Sequence, residues 1–227
     1  RRASASSRAG EVDRAASQLS ARARRASLAC GGSAPKASTT ASSQRASIAS
    51  ASACAACAST CRVAARRANG ASVFVDYAHT PDGFEKLLSD VARLKRPEAK
   101  VIMVFGSAGH RDQTKRPDMG RIAGAFSDVL VLTEEDPRSE DALEIARQIA
   151  AGVERDQVEI HLIEDRVEAI EKAIRLAGPH DIVLITGKGN ETELEVQHPT
   201  TWHGDVPAAV EALRNRAQEE AKRGVRA

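Results

Sequence analysis

The chain has 227 residues, of which 42% are hydrophobic and only 3% aromatic, and its formal net charge is +2. This near-neutral total hides a division, because residues 1–70 hold 12 Lys and Arg against 2 Asp and Glu, whereas residues 71–227 hold 21 against 29. The first part has almost no large aliphatic side chains, which excludes a buried core there, and no run of the chain is apolar enough for a membrane span or a signal peptide. We therefore predict a basic low-complexity segment over residues 1–71, disordered or out of frame, ahead of a folded acidic domain over residues 72–223.

The basic segment holds all four cysteines, three of them closely spaced as Cys54, Cys57 and Cys61. No fourth ligand is placed to close a tetrahedral site, so we predict no metal site. Because no cysteine follows Cys61, the folded part needs no disulfides, which is typical of a cytoplasmic protein. The basic charge could attract nucleic acid, but the segment has no aromatic side chain for base stacking, so a solvated segment without a partner is the favoured interpretation.

Short β-rich runs alternate with helical periods from Ser72 onward. In chain order, these patterns predict strand 72–78, helix 82–96, strand 100–106, helix 116–126, strand 128–133, helix 139–153, strand 158–163, helix 165–177, strand 181–187 and helix 205–223. Strands that alternate with helices indicate βαβ units. The expected fold is therefore α/β and Rossmann-like, with a mainly parallel sheet and flanking helices.

Open parallel sheets bind ligands at the carboxyl ends of their strands, where four polar loops of this chain are expected. The loops read DYAHTPDG, FGSAGHRDQTKRPDMG, TEEDPRSED and TGKGNETE. Gly106 and Gly109 could turn backbone amides toward an anion, although a solvated basic loop explains the second sequence equally well. Ser139 in the third loop is predicted to cap a helix. The order Gly-x-x-x-x-Gly-Lys-Ser/Thr is absent, so none of the loops is a P-loop.

The four loops in this order resemble the C-terminal domain of the Mur ligases, most closely the members that add the third residue of the peptidoglycan peptide. The resemblance covers Val73 to about Leu213. It implies ATP-dependent amide formation, in which the carboxylate of a UDP-N-acetylmuramoyl dipeptide attacks the γ-phosphate and the amine of a diamino acid then displaces phosphate from the acyl phosphate. The C-terminal domain would position the amino acid, expected to be meso-diaminopimelate, and complete the nucleotide pocket.

The resemblance also implies roles for individual residues. Lys115 would be catalytic and approach the transferred phosphate, and Asp76, His79 and Asp82 would contact the nucleotide. Within the amino-acid site, Arg138 would grip the distal carboxylate. The full set of expected substrate-binding residues is Arg111, Glu135, Asp136, Arg138, Gly187 and Glu191.

Two departures from the family pattern affect these expectations. Glu135 and Asp136 stand where Asp-Asn is usual, and Asn190 replaces a customary histidine.

The P-loop and the Mg²⁺ ligands of the family's ATPase domain are absent from this chain. ATP and Mg²⁺ are therefore expected to act only in a complete enzyme, and this part of an acid–amino-acid ligase is expected to be inactive alone. A frameshift in a GC-rich gene would account for the basic segment together with these absences.

Two other functions remain open from the sequence. One is a stand-alone module that binds an amino acid or a nucleotide without catalysis. The other is a nucleic-acid binder that acts through its basic segment, for which DNA binding should depend on salt and disappear when the residues before Ser72 are removed. In every case we expect a monomer without a membrane partner.

Overall fold

The computed structural model describes residues 62–66 and 71–224. Most of the predicted basic segment, including Cys54, Cys57 and Cys61, lies outside these residues. The elements are β1 (Arg62–Arg66), β2 (Ser72–Val75), α1 (Pro81–Leu94), β3 (Val101–Phe105), α2 (Lys115–Phe126), β4 (Val129–Leu132), α3 (Ala142–Ala150), β5 (Glu159–Leu162), α4 (Arg166–Leu176), β6 (Ile182–Ile185) and α5 (Asp205–Gly224).

The strands form one sheet in the order β1-β2-β6-β3-β4-β5. The last five strands in this order are parallel to one another. The edge strand β1 is antiparallel to β2. The predicted α/β fold with a mainly parallel sheet is confirmed. Because β6 lies between β2 and β3, the loop after β6 lies between the loops that follow β2 and β3.

Strand β1 is the element that the sequence did not predict, and it lies ahead of the expected domain start at residue 72. Its sequence, RVAAR, has no run of large apolar residues. It is a strand because its backbone pairs with β2, where Val63 lies opposite Phe74 and a bulge follows before Ala65. An edge strand can be held by ladder hydrogen bonds without an apolar pattern of its own, which is why the composition concealed it.

Both faces of the sheet are covered. On β3, Met103 and Phe105 pack with α1, α2 and α3 on one face, whereas Ile102 and Val104 pack with α4 and α5 on the other. The Phe105 ring meets Phe84 of α1 edge to face, with centroids 4.9 Å apart. Strands β3, β4 and β6 are buried along their whole length, as parallel strands between two helix layers must be.

Helix α3 begins later than predicted. The prediction that Ser139 caps this helix is wrong, because Asp141 is the N-cap and its side chain accepts a hydrogen bond from the backbone N–H of Glu144. Ser139 instead lies in a turn and contacts His110 Nε2. The residues before the helix are held in the preceding loop, where Asp136 and Arg138 have φ angles of 48° and 57° that a helix does not allow.

None of the described helices has an apolar stretch of the length needed to cross a membrane.

Candidate functional site

The loops after β2, β3, β4 and β6 meet at the carboxyl edge of the sheet and contact one another directly. Tyr77 after β2 donates a hydrogen bond to Glu191 Oε1 after β6, at 2.9 Å. Lys188 after β6 contacts both oxygens of Asp136 after β4, each at 2.9 Å. Gly109 after β3 donates its backbone N–H to the Asp136 carbonyl, at 2.9 Å. Most of the residues that the sequence predicted for the site are therefore brought to one place.

The loop after β2 is organised by Asp76. This side chain is buried and its Oδ1 accepts the backbone N–H of Ala78 at 2.8 Å, so it shapes the turn and does not face solvent. His79 is half-buried, with Nδ1 2.9 Å from the Tyr77 carbonyl oxygen. Asp82 is exposed in the first turn of α1, which Thr80 caps. This region thus offers His79 and Asp82 to a ligand, and Asp76 supports them from within.

The loop after β3 carries the predicted cations. Lys115 Nζ donates to the His79 carbonyl oxygen at 3.0 Å, which links the start of α2 to the loop after β2. Arg111 is exposed and makes no ion pair with any residue that the structure describes. The anion cradle considered for this loop is not formed by its glycine amides, because the N–H of Gly106 points to Glu135 Oε2 and that of Gly109 to the Asp136 carbonyl.

Arg116 anchors the same loop from below, a role that the sequence did not reveal. Its side chain is fully buried, and Nη1 donates to Glu140 Oε2 at 2.9 Å and to Gln148 Oε1 at 2.7 Å. The Arg116 hydrogen bond, together with the His110 backbone N–H, lowers the pKa of Glu140 to about 2. The loop is therefore fixed to α3 at neutral pH, with Glu140 ionised.

Lys188 is the centre of the contacts between the last two loops. It is 3% exposed, forms ion pairs with Asp136 and Glu191, and lies 5.8 Å from the centre of the Trp202 ring. Burial works against its charge, but the hydrogen bonds and charges of Glu191 and Asp136 outweigh burial and raise the pKa of Lys188. Its two carboxylate partners come from different loops, so Lys188 fixes Glu191 relative to the loop that carries Arg138.

Glu135 is buried directly beneath the last loop. Burial raises the pKa of Glu135 to about 7, against the opposing charges of Arg166 and Lys115. Its carboxylate lies against the backbone of Gly187, where a Cβ atom would be 2.0 Å from Oε2. A side chain at position 187 would therefore meet the Glu135 carboxylate unless that carboxylate moved.

Replacing Gly187 with alanine should destabilise the protein by about 1–3 kcal/mol. The φ angle of Gly187 is 106°, which an L side chain rarely adopts, and the new methyl group would displace the Glu135 carboxylate. The free energy of unfolding can be measured by urea titration. Because Trp202 is the chain's single tryptophan and is 2% exposed, its fluorescence reports the transition.

The matched control is Gly178→Ala, because the nearest atom to a Cβ there is Asp181 Oδ2 at 3.3 Å and φ is not in the restricted range. This control should change stability by less than about 0.5 kcal/mol. Equal effects of the two substitutions would contradict the close contact between Gly187 and Glu135.

A second buried network supports the site and was missed in the sequence. Arg166 and Asp205 are both fully buried and form a two-contact ion pair, with Nε–Oδ1 at 2.8 Å and Nη2–Oδ2 at 2.9 Å. Arg166 also donates to the carbonyl oxygens of Glu134 and Thr186 at the ends of β4 and β6, and Trp202 Nε1 donates to Asp205 Oδ1. The signal available was that Arg166 falls on the apolar stripe of its helix.

The remaining contact of this region joins Glu134 to His198. Glu134 is 1% exposed, and His198 Nε2 lies 2.8 Å from its Oε2. Burial raises the pKa of Glu134, and the Pro199 carbonyl and Glu134 both raise the pKa of His198. The segment after Glu191 is thereby fixed to the loop after β4.

The described residues contain no group of three His, Cys, Asp or Glu side chains placed to hold a metal ion. The carboxyl edge of the sheet carries paired cations and carboxylates, which suit a zwitterionic or anionic ligand. Glu191 and Asp136 offer acceptors for ammonium groups, and Arg111, Arg138 and Lys115 offer donors for carboxylate or phosphate oxygens.

The family model and the similar proteins all indicate the same family. A family model described as "Mur ligase, glutamate ligase domain" matches residues 61–189. The chain is 46% identical over 144 residues to the UDP-N-acetylmuramyl-tripeptide synthetase of Treponema denticola, which covers 62% of this chain and 27% of that protein. It is 44% identical over 149 residues to the UDP-N-acetylmuramoyl-L-alanyl-D-glutamate–2,6-diaminopimelate ligase of Chlorobium phaeobacteroides, which covers 65% and 28%.

A solved structure of a UDP-N-acetylmuramoyl-L-alanyl-D-glutamate–2,6-diaminopimelate ligase superposes with a TM-score of 0.63 and 32% identity, covering 71% of this chain and 32% of that one. The chain thus spans between a quarter and a third of the length of these relatives. The match of the family model begins at residue 61, which agrees with the presence of β1 in the sheet.

Proposed function

The chain belongs to the Mur ligase family, and we propose that it is the amino-acid-binding and nucleotide-binding C-terminal domain of a ligase that adds the third residue to the UDP-N-acetylmuramoyl dipeptide. The reaction would be ATP-dependent amide formation in the cytoplasm. This chain would hold the incoming amino acid and part of the nucleotide, and ligation would need the ATPase domain as well. Purified chain supplied with ATP, diaminopimelate and the nucleotide dipeptide should therefore form no tripeptide.

The observation that carries the proposal is the contact chain from Asp136 through Lys188 to Glu191. It fixes a half-exposed carboxylate, Glu191, relative to the loop in which Arg138 lies two residues after Asp136. An amino acid with an ammonium group and a distal carboxylate requires an acceptor and a forked donor held at a constant separation. Lys188 is almost fully buried and pairs with Asp136 in the loop after β4 and with Glu191 in the loop after β6. It would therefore hold the acceptor Glu191 at a constant distance from the loop that carries the donor Arg138.

We propose meso-diaminopimelate as the amino acid, because several of the similar proteins are named as diaminopimelate ligases and the forked donor Arg138 is present. Arg138 would bind the distal carboxylate and Glu191 the amino group beside it. Arg111, which is exposed and unpaired among the described residues, would bind the other carboxylate. Glu135, Asp136 and Gly187 would form the wall between these groups.

Lys115 is proposed to approach the transferred phosphate. Its amine lies 3.0 Å from the His79 carbonyl oxygen, so it is held next to the loop that would contact the nucleotide through His79 and Asp82, with Asp76 supporting that loop. When bound, ATP supplies the phosphoryl group that activates the substrate carboxylate. The described residues do not fit a Mg²⁺ site, and we assign them no step that involves the metal.

Isothermal titration of the chain with meso-diaminopimelate tests the proposed function. We expect saturable binding that is at least tenfold tighter than that of L-lysine, which lacks the second carboxylate. Arg138→Lys should weaken the binding of meso-diaminopimelate by about 10- to 100-fold, because a lysine gives no forked hydrogen bonds and a charge-assisted pair is worth about 1.5–3 kcal/mol.

The control is Arg147→Lys on the outer face of α3, where the arginine is exposed and pairs with Glu144 within its own helix. This change should leave binding unaltered. Equal affinities for lysine and diaminopimelate, or no effect of Arg138→Lys, would contradict the proposed role of Arg138.

A further inference from the structure

Arg138 already has a carboxylate partner in this structure. Its Nε donates to Glu195 Oε2 at 2.7 Å, and Nη1 contacts the Gly109 carbonyl oxygen. The Arg138 side chain is 27% exposed and that of Glu195 is 62% exposed. One donor of the Arg138 guanidinium, Nε, is thus occupied by an acid of the chain itself.

The backbone around Glu195 is fixed independently of its side chain. The N–H of Glu195 donates to Asp136 Oδ1 at 2.9 Å, and its carbonyl oxygen accepts the N–H of Arg138 at 3.1 Å. The segment that carries it is also held at Glu191 by Lys188 and at His198 by Glu134. The Glu195 side chain can therefore leave Arg138 by rotation alone, without moving the segment.

There is also space beside this pair for a ligand group. An open groove of about 360 Å³ is lined by Arg138, Ser139, Glu195, Val196 and Gln197. Because Arg138 and Glu195 both line this groove, a carboxylate that enters it comes next to their ion pair. A substrate carboxylate that binds the edge of the guanidinium formed by Nε and Nη2 needs the Nε–H that Glu195 now takes, so the two carboxylates exclude one another on that edge.

We infer that Glu195 is an internal competitor for Arg138, which the distal carboxylate of the incoming amino acid must displace. The inference rests on the proposed function, because it takes Arg138 as the group that binds the substrate carboxylate. Glu195 then lowers the affinity for ligands that carry this carboxylate and does not affect ligands that lack it. An exposed ion pair of this kind is weak, so the competition is easily overcome by substrate.

The test is Glu195→Gln in the full chain, titrated with meso-diaminopimelate and with L-lysine. The substitution keeps the size of the side chain and both backbone hydrogen bonds but weakens the contact with Arg138. We expect meso-diaminopimelate to bind about two- to fivefold more tightly than it binds the unaltered chain, with no change for lysine. Glu193→Gln is the matched control, because Glu193 is exposed on the same segment and has no ion pair among the described residues.

A second measurement uses no ligand. Phenylglyoxal modifies accessible arginines, and mass spectrometry can follow Arg138 and Arg111 in the same sample. Glu195→Gln should raise the modification rate of Arg138 about two- to fivefold and leave that of Arg111 unchanged.

The outcomes separate this inference from the proposed function. Diaminopimelate binding that is equal in the unaltered chain and Glu195→Gln, or that is raised equally by Glu193→Gln, would overturn the competition and leave the proposed function standing. Absence of diaminopimelate binding by both Glu195→Gln and the unaltered chain would overturn the proposed function and the competition with it. An unchanged Arg138 modification rate would overturn the inference whatever the binding result.

Discussion

Asp205→Asn should lower the free energy of unfolding by about 3–5 kcal/mol, because it leaves the Arg166 guanidinium buried without its main counter-charge. Both side chains are fully buried and joined by two hydrogen bonds at 2.8 and 2.9 Å. The same carboxylate also accepts the indole N–H of Trp202 at 3.1 Å. Urea titration followed by circular dichroism gives the free energy without depending on the tryptophan signal.

Asp165→Asn serves as the control. Asp165 directly precedes Arg166 in the sequence, and its side chain caps α4 by accepting the N–H of Glu168. Asparagine is as good a cap as aspartate, so this change should cost less than about 0.5 kcal/mol. Replacing both ion-pair partners, as Arg166→Met with Asp205→Leu, should recover much of the lost stability because no unpaired charge remains. A cost below about 1 kcal/mol for Asp205→Asn would show that the pair does not hold α4 and α5 to the sheet.

Glu135→Gln should become increasingly stabilising as the pH rises from about 4.5 to about 7. Burial raises the pKa of Glu135 to about 7 in the folded protein, from 4.5. Between these values the folded state binds a proton that the unfolded state releases, so the stability of the unaltered protein falls with rising pH. The gain in the free energy of unfolding from Glu135→Gln, relative to the unaltered protein, should reach about 3 kcal/mol above pH 7. This gain is absent below pH 4.5, where Glu135 is protonated in both the folded and the unfolded state.

The measurement is the difference in the free energy of unfolding between Glu135→Gln and the unaltered chain at pH 4, 6 and 8. Taking the difference removes the contributions of the other titrating groups, including Glu134 and His198. The control is Glu211→Gln, the same substitution on the exposed side of α5. A difference for Glu135→Gln that does not change between pH 4 and pH 8 would contradict the raised pKa of the buried Glu135 carboxyl.

The fold was predictable from the sequence because its signals are local and repeated. Strands β3, β4 and β6 are short runs of Val, Ile, Leu, Met or Phe, and the segments between the strands have apolar residues at helical spacing, so the βαβ order followed from periodicity. Strand β1 could not be predicted, because RVAAR has no apolar alternation and depends on pairing with β2. The late start of α3 was missed because Ser139 and Asp141 are both good caps, and the choice is made by contacts of the preceding loop.

The meeting of the four polar loops at one edge was also predictable, since the carboxyl ends of adjacent parallel strands lie together. The contacts between these loops were not predictable. Lys188 is buried between Asp136 and Glu191, in ion pairs that the sequence does not indicate. The pairing of Arg138 with Glu195 joins residues 57 positions apart, and the elevated pKa of Glu135 is set by burial that only the folded chain produces. Such contacts are between loops, and no period in the sequence encodes them.

The most direct test of the proposed site is the backbone amide NMR spectrum of the chain during titration with meso-diaminopimelate. We predict saturable shift changes concentrated in three stretches at the carboxyl edge of the sheet, residues 106–116, 134–139 and 187–195, with little change in α1 or α5. Further addition of ADP should then shift residues 76–82. Saturable changes that map to other surfaces, or the absence of any change at millimolar diaminopimelate, would contradict an amino-acid site built from these loops.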